Sequence, residues 1–86
     1  MALWTVYLVR CADDTLYCGI TNDLPARLAA HGTARGAKYT RNRGPVQLAY
    51  ARRFRSKGAA LRAEYQLKQL TRRQKLALVA SYNPAR

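Results

Sequence analysis

Two hydrophobic periods alternate along the chain, and they predict its elements. Residues 4–11, Trp-Thr-Val-Tyr-Leu-Val-Arg-Cys, are rich in β-branched and aromatic side chains, and so is the run 15–20, Thr-Leu-Tyr-Cys-Gly-Ile. Such residues favour pleated, half-buried strands. Ala12-Asp13-Asp14 between them is turn material, so the two runs read as a hairpin. The period then changes. Thr21-Asn22-Asp23 offers N-cap residues, Pro25 fits a first helical turn, and Leu24, Leu28 and His31 fall at helical spacing up to Gly32. Residues 32–45 are polar, basic and glycine-containing, and read as a loop. Val46 to Phe54 alternates over its first half and predicts a third strand. Ser56 is placed to cap a helix through about Leu70. Thr71 is placed to cap another over 72–81, with Leu76 and Val79 on its apolar side, and Asn83-Pro84 ends it.

The predicted order is β-β-α-β-α-α, an α+β fold. It has a small three-stranded antiparallel sheet, one face to cover, and three flanking amphipathic helices to cover it. In the helix after Ser56 the apolar set is Ala60, Leu61, Leu67 and Leu70, with Tyr65 nearby. Glu64 is three residues after Leu61 and three before Leu67, which puts it near the edge of the core. Without a repeat, a low-complexity tract or an internal boundary, residues 1–86 read as one small domain.

Charge changes the picture. The 86 residues hold 16 Lys and Arg against 4 Asp and Glu, for a net charge of +12. The basic residues are spread along the whole chain, so the field is not that of a basic tail. Such a field attracts polyanions, of which nucleic acid is the commonest. An anionic membrane is the weaker rival, and no segment is long and apolar enough to span a bilayer. The first ten residues lack a basic n-region and a cleavage site, and read as a strand rather than a signal peptide. Cys11 and Cys18 lack metal-ligand spacing and read as reduced thiols in a cytoplasmic protein.

Glu64 is the only glutamate. A lone carboxylate in a basic surface can take a divalent cation and leave the field that attracts nucleic acid intact. Upstream stand Tyr7, Tyr17, Arg27 and His31, with Arg27 and His31 four apart on one helical face. Each alone has an ordinary reading: a strand tyrosine packs, a helix histidine is solvated, and a glutamate near Arg62 and Lys68 forms a surface ion pair. Taken in order and spacing, the set suggests metal-assisted phosphodiester cleavage. Hydrolysis must activate water, balance growing negative charge and support an alkoxide leaving group. The basic stretch Arg35, Lys38, Tyr39, Arg41 and Arg43 interleaves cations that hold phosphate with an aromatic that stacks on an unpaired base. Geometry adds a condition. The two tyrosines share a sheet face only if paired residue numbers in the hairpin sum to an even value, which requires an odd loop or a bulge.

Thr5-Val6-Tyr7, Tyr17-Cys18-Gly19, the run Gly19-Ile20-Thr21-Asn22-Asp23-Leu24 with Arg27-Leu28 and His31, and Ala60-Leu61-Arg62-Ala63-Glu64 with Lys68-Gln69-Leu70 together resemble the GIY-YIG nuclease family. The likeness is to its small, stand-alone bacterial members. Thr5, Val6 and Cys18 depart from the naming motifs; the two tyrosines and Gly19 remain. The resemblance implies a GIY-YIG-like fold and a one-metal endonuclease. Glu64 would bind Mg²⁺ or Mn²⁺, Tyr7 would deprotonate or orient the attacking water, and Tyr17 would hydrogen-bond water or phosphate. Arg27 would neutralise the transition state, His31 would help place Tyr7 or the phosphate, and Lys68 would join the nucleic-acid contacts. Nearby cations would be needed to favour the Tyr7 phenolate. Asn83, near the terminus, stays outside the set. Two rivals stand beside this reading: a nucleic-acid-binding module with little or no turnover, and a subunit active only with a protein partner. A homodimer is also compatible with it.

Overall fold

The hairpin is built on the odd loop that the tyrosine pair requires. The computed structural model describes residues 3–12, 14–30 and 46–82. Strand β1, Trp4–Arg10, pairs antiparallel with β2, Leu16–Thr21, in a register that sets Tyr7 opposite Gly19 and Val9 opposite Tyr17. These pairs sum to an even number, so Tyr7 and Tyr17 share a face. Cys11 N–H donates to the Thr15 carbonyl at 2.8 Å and Asp14 N–H to the Cys11 carbonyl at 2.9 Å, closing a three-residue connection. Its last residue, Asp14, has φ 66°, the left-handed conformation that three-residue hairpin loops use and that aspartate tolerates.

Helix α1, Leu24–Ala30, follows β2. The Asp23 carboxylate accepts from Ala26 N–H at 3.2 Å, and Pro25 occupies the first turn, where a missing N–H costs nothing. Strand β3, Gln47–Phe54, pairs antiparallel with the other side of β1, giving the order β2-β1-β3. The β1–β3 register slips between Leu8 and Val9: Leu8 faces Tyr50 and Val9 faces Leu48, leaving Ala49 as the extra residue of a bulge. Strict alternation would put Leu48 and Tyr50 on one face. The bulge sends them to opposite faces, and both are half-buried.

Helix α2, Lys57–Gln69, starts at Ser56, whose hydroxyl accepts from Ala59 N–H at 3.1 Å. Helix α3, Arg72–Ser81, starts with a reciprocal capping box between Thr71 and Gln74. Val6, Leu8, Cys18, Ala60 and Leu67 make the buried core between the sheet and α2, with Phe54, Ala63, Leu70, Leu78 and Val79 packed around it. The helical period picks Leu76 with Val79 on α3, whereas Leu78 and Val79 pack against this core. On α2, Leu61 does not join the core and is 44% exposed.

The fold is the α+β arrangement expected from the sequence, a three-stranded antiparallel sheet with three helices. The helices do not all serve one face. Strand alternation puts Val6, Leu8 and Cys18 toward α2, and Tyr7, Val9 and Tyr17 on the other side, where Arg27 of α1 meets the two tyrosines. Tyr7 and Val9 are as buried as Val6 and Leu8, at 1% and 0% exposure. The sheet therefore has two covered faces at its centre.

Candidate active site

Arg27 joins the two tyrosines. Its guanidinium lies beside the phenols of both Tyr7 and Tyr17, and their proximity, that of Tyr7 above all, holds it firmly in the charged form. The side chains come from three consecutive elements, β1, β2 and α1, joined by the short hairpin and the capped turn at Asp23.

Gly19 allows the Tyr7 ring to lie across the edge strand. A Cβ built on Gly19 would stand 2.6 Å from the Tyr7 hydroxyl oxygen, 2.8 Å from its Cζ and 3.2 Å from Tyr17 Cε2. Such separations are well inside van der Waals contact, so any side chain there would push the phenol away. A glycine inside a strand commonly marks close approach of this kind, and that was the available signal for its role.

Burial pushes the Tyr7 phenol above its ordinary value of 10.0. The Arg27 hydrogen bond and charge pull it down, as expected of nearby cations, but desolvation is the larger effect. Tyr7 is therefore a neutral phenol at neutral pH in this environment.

Glu64 reaches β2 from the other face. Its carboxylate acts on Cys18, whose side chain belongs to the α2-facing core. Burial first and Glu64 second push the Cys18 thiol up to about 11, against the pull of Lys68 and Lys75. Tyr7 over Gly19 and Glu64 near Cys18 thus bracket adjacent residues of the same edge strand from opposite faces, and none of the described contacts that gather Tyr7, Tyr17 and Arg27 includes Glu64. The Glu64 side chain is 18% exposed, at the core edge as its spacing predicts, and pairs with Lys68 one turn on at 3.6 Å. Lys68 itself is 54% exposed. Among the described residues no group of three His, Cys, Asp or Glu converges on a cation-sized site. A single reachable carboxylate still fits Mg²⁺ or Mn²⁺, because Mg²⁺ keeps most of its waters and takes one or two protein carboxylates.

His31, Arg35, Lys38, Tyr39, Arg41, Arg43 and Asn83 lie outside the described residues. No described helix is long and apolar enough to cross a membrane.

Comparison with known proteins bears on the family and the fold. The family model of the GIY-YIG catalytic domain matches residues 3–77. A UPF0213 protein of Oceanobacillus iheyensis is 50% identical over 74 residues, covering 86% of each chain. A UPF0213 protein of Staphylococcus haemolyticus is 47% identical over 79 residues, covering 92% of this chain and 96% of that one. The solution NMR structure of a UPF0213 protein from Bacillus halodurans superposes with a TM-score of 0.62 at 42% identity, over 96% of this chain and 89% of that one.

Proposed function

From the premise that this chain belongs to the GIY-YIG catalytic-domain family, we propose that it is a divalent-metal-dependent endonuclease acting on nucleic acid, DNA ahead of RNA. The observation that carries the reading is the Tyr7–Arg27–Tyr17 cluster seated over Gly19. Packing alone does not require a guanidinium shared by two phenols. A phosphodiester undergoing hydrolysis does benefit from a fixed cation with hydroxyl donors beside it.

In this mechanism Arg27 meets the non-bridging phosphate oxygens and offsets the charge that grows on them. Tyr7 aligns the attacking water, and its conversion to a base needs more positive charge than Arg27 alone provides. Tyr17 donates to the phosphate or to the water. His31 assists Tyr7 or the phosphate. The water oxygen bonds to phosphorus, the P–O bond to the leaving oxygen breaks, and that oxygen takes up a proton. Glu64 would hold Mg²⁺ or Mn²⁺, which supplies Lewis-acid stabilisation of the leaving oxygen. Lys68, which pairs with Glu64 at 3.6 Å, would contact a substrate phosphate. Arg35, Lys38, Tyr39, Arg41 and Arg43 extend the nucleic-acid contact.

The test is cleavage of labelled double-stranded, single-stranded and branched DNA, and of RNA, at low salt with Mg²⁺, Mn²⁺ or EDTA. The expected result is metal-dependent cutting by the wild type that is lost in Glu64→Ala while binding persists. Tight binding with no cutting under any metal would replace the nuclease with a binding module. Cutting that appears only after adding cell extract would point to a subunit needing a protein partner.

A further inference from the structure

Three large hydrophobic side chains among the described residues are exposed: Leu3, Leu61 and Tyr65, at 39%, 44% and 66%. Two of these stand one turn apart on α2. At 3.6 residues per turn, Ala60, Ala63, Leu67 and Leu70 face the core and Glu64 lies at its border. Lys68 and Leu61 come next around the helix, and Tyr65 points furthest out. An apolar step thus leads away from the carboxylate, flanked by the exposed side chains of Arg62, Lys68 and Gln69.

The sequence favours a core role for Leu61, and the structure denies it one. Two side chains are far too little surface for a stable protein interface, which needs about 800 Å² from each partner. They do match the face of one nucleobase, and the cations around them would hold the phosphates on either side. An exposed phenol ring stacks on any base, because every base has a π-face.

We infer that Leu61 and Tyr65 form a seat for an unpaired base of the substrate strand, next to the Glu64 carboxylate. The inference rests on the nucleic-acid reading above and adds a substrate class to it. An unpaired base can leave the helical stack to meet Tyr65, whereas a base inside a duplex cannot without unpairing. The seat therefore favours single strands, flaps and branches over continuous duplex.

Binding can be measured in EDTA, by fluorescence anisotropy of a labelled single strand and of its duplex. Wild type, Tyr65→Ala and Tyr65→Phe would be compared, with circular dichroism to confirm folding and light scattering to fix the oligomeric state. Tyr65→Ala should weaken single-strand binding roughly five- to a hundred-fold and duplex binding less than about two-fold, while Tyr65→Phe keeps both. A 2-aminopurine base in the single strand should be quenched by the wild type and by Tyr65→Phe, but not by Tyr65→Ala. Equal weakening of both ligands, or weakening of neither, would overturn the seat. So would a wild-type dimer that Tyr65→Ala turns into a monomer, since the patch would then be a self-contact. If the wild type binds neither ligand, the nuclease reading fails as well. If it binds and cuts as Tyr65→Ala does, only the seat fails.

Discussion

At Gly19, one added methyl group would collide with the Tyr7 hydroxyl, the atom to which the proposed mechanism gives the attacking water. Gly19→Ala should leave a folded protein, destabilised by about 1–3 kcal/mol through overpacking, with cleavage reduced as far as in Tyr7→Phe. Urea unfolding and a cleavage assay on the same samples would separate the two effects. Normal turnover by Gly19→Ala would show that the hydroxyl need not sit where it does. The raised pKa of Tyr7 sets a pH profile. Its phenolate fraction grows through neutral and alkaline pH, so a water-deprotonating Tyr7 makes the rate climb about tenfold per pH unit between pH 7 and 9. Tyr7→Phe should abolish that climb, and a flat wild-type profile would leave Tyr7 only the orienting role. Cys18 acts on stability instead. Its thiol titrates at 9.0 when unfolded and about 11 when folded. Below pH 9 both states keep the proton. As pH rises through 9 toward 11 the unfolded chain releases it first, so stability falls, by about 1–3 kcal/mol in all. Urea midpoints at pH 8 and pH 10.5 should show this fall, and Cys18→Ala should shrink it.

Elements were legible where local chemistry decides them. The caps at Asp23, Ser56 and Thr71 and the turn at Ala12-Asp13-Asp14 act within a few residues, and all the boundaries they mark fall within about one residue of expectation. Thr71→Ala should cost about 1 kcal/mol by losing the capping box, seen in thermal unfolding, with the rate of cutting per folded molecule unchanged. A far larger loss would mean that Thr71 holds more than its helix. The tyrosine pair was legible as a condition on loop parity, and the register meets it. Long-range matters were not legible. Nothing local separates Leu61 from Leu67, because which of two leucines on one helix is buried depends on how the sheet presents itself to α2. The Ala49 bulge is a relation between strands, and the split of helices between two faces depends on which side each connection takes. The balance between burial and Arg27 at Tyr7 likewise exists only once the site is assembled.

At the scale of the molecule, a net charge of +12 makes any complex with nucleic acid sensitive to salt. The logarithm of the binding constant should fall linearly with the logarithm of salt concentration, with a slope of about −0.7 to −0.9 per phosphate contacted. A flat dependence would remove electrostatics as the source of affinity. The bracketed edge strand also has a kinetic meaning. The tyrosines, Gly19 and Arg27 lie within 21 residues of one another on a hairpin and a helix, elements whose local contacts form in about microseconds. Glu64 arrives from the far side of the sheet, and only after β3 has found β1 and α2 has docked on both. Those closures join distant parts of the chain and are the slow ones. If the proposed mechanism holds, turnover that needs both the tyrosine cluster and Glu64 should return with the slowest phase of Trp4 fluorescence, never ahead of it.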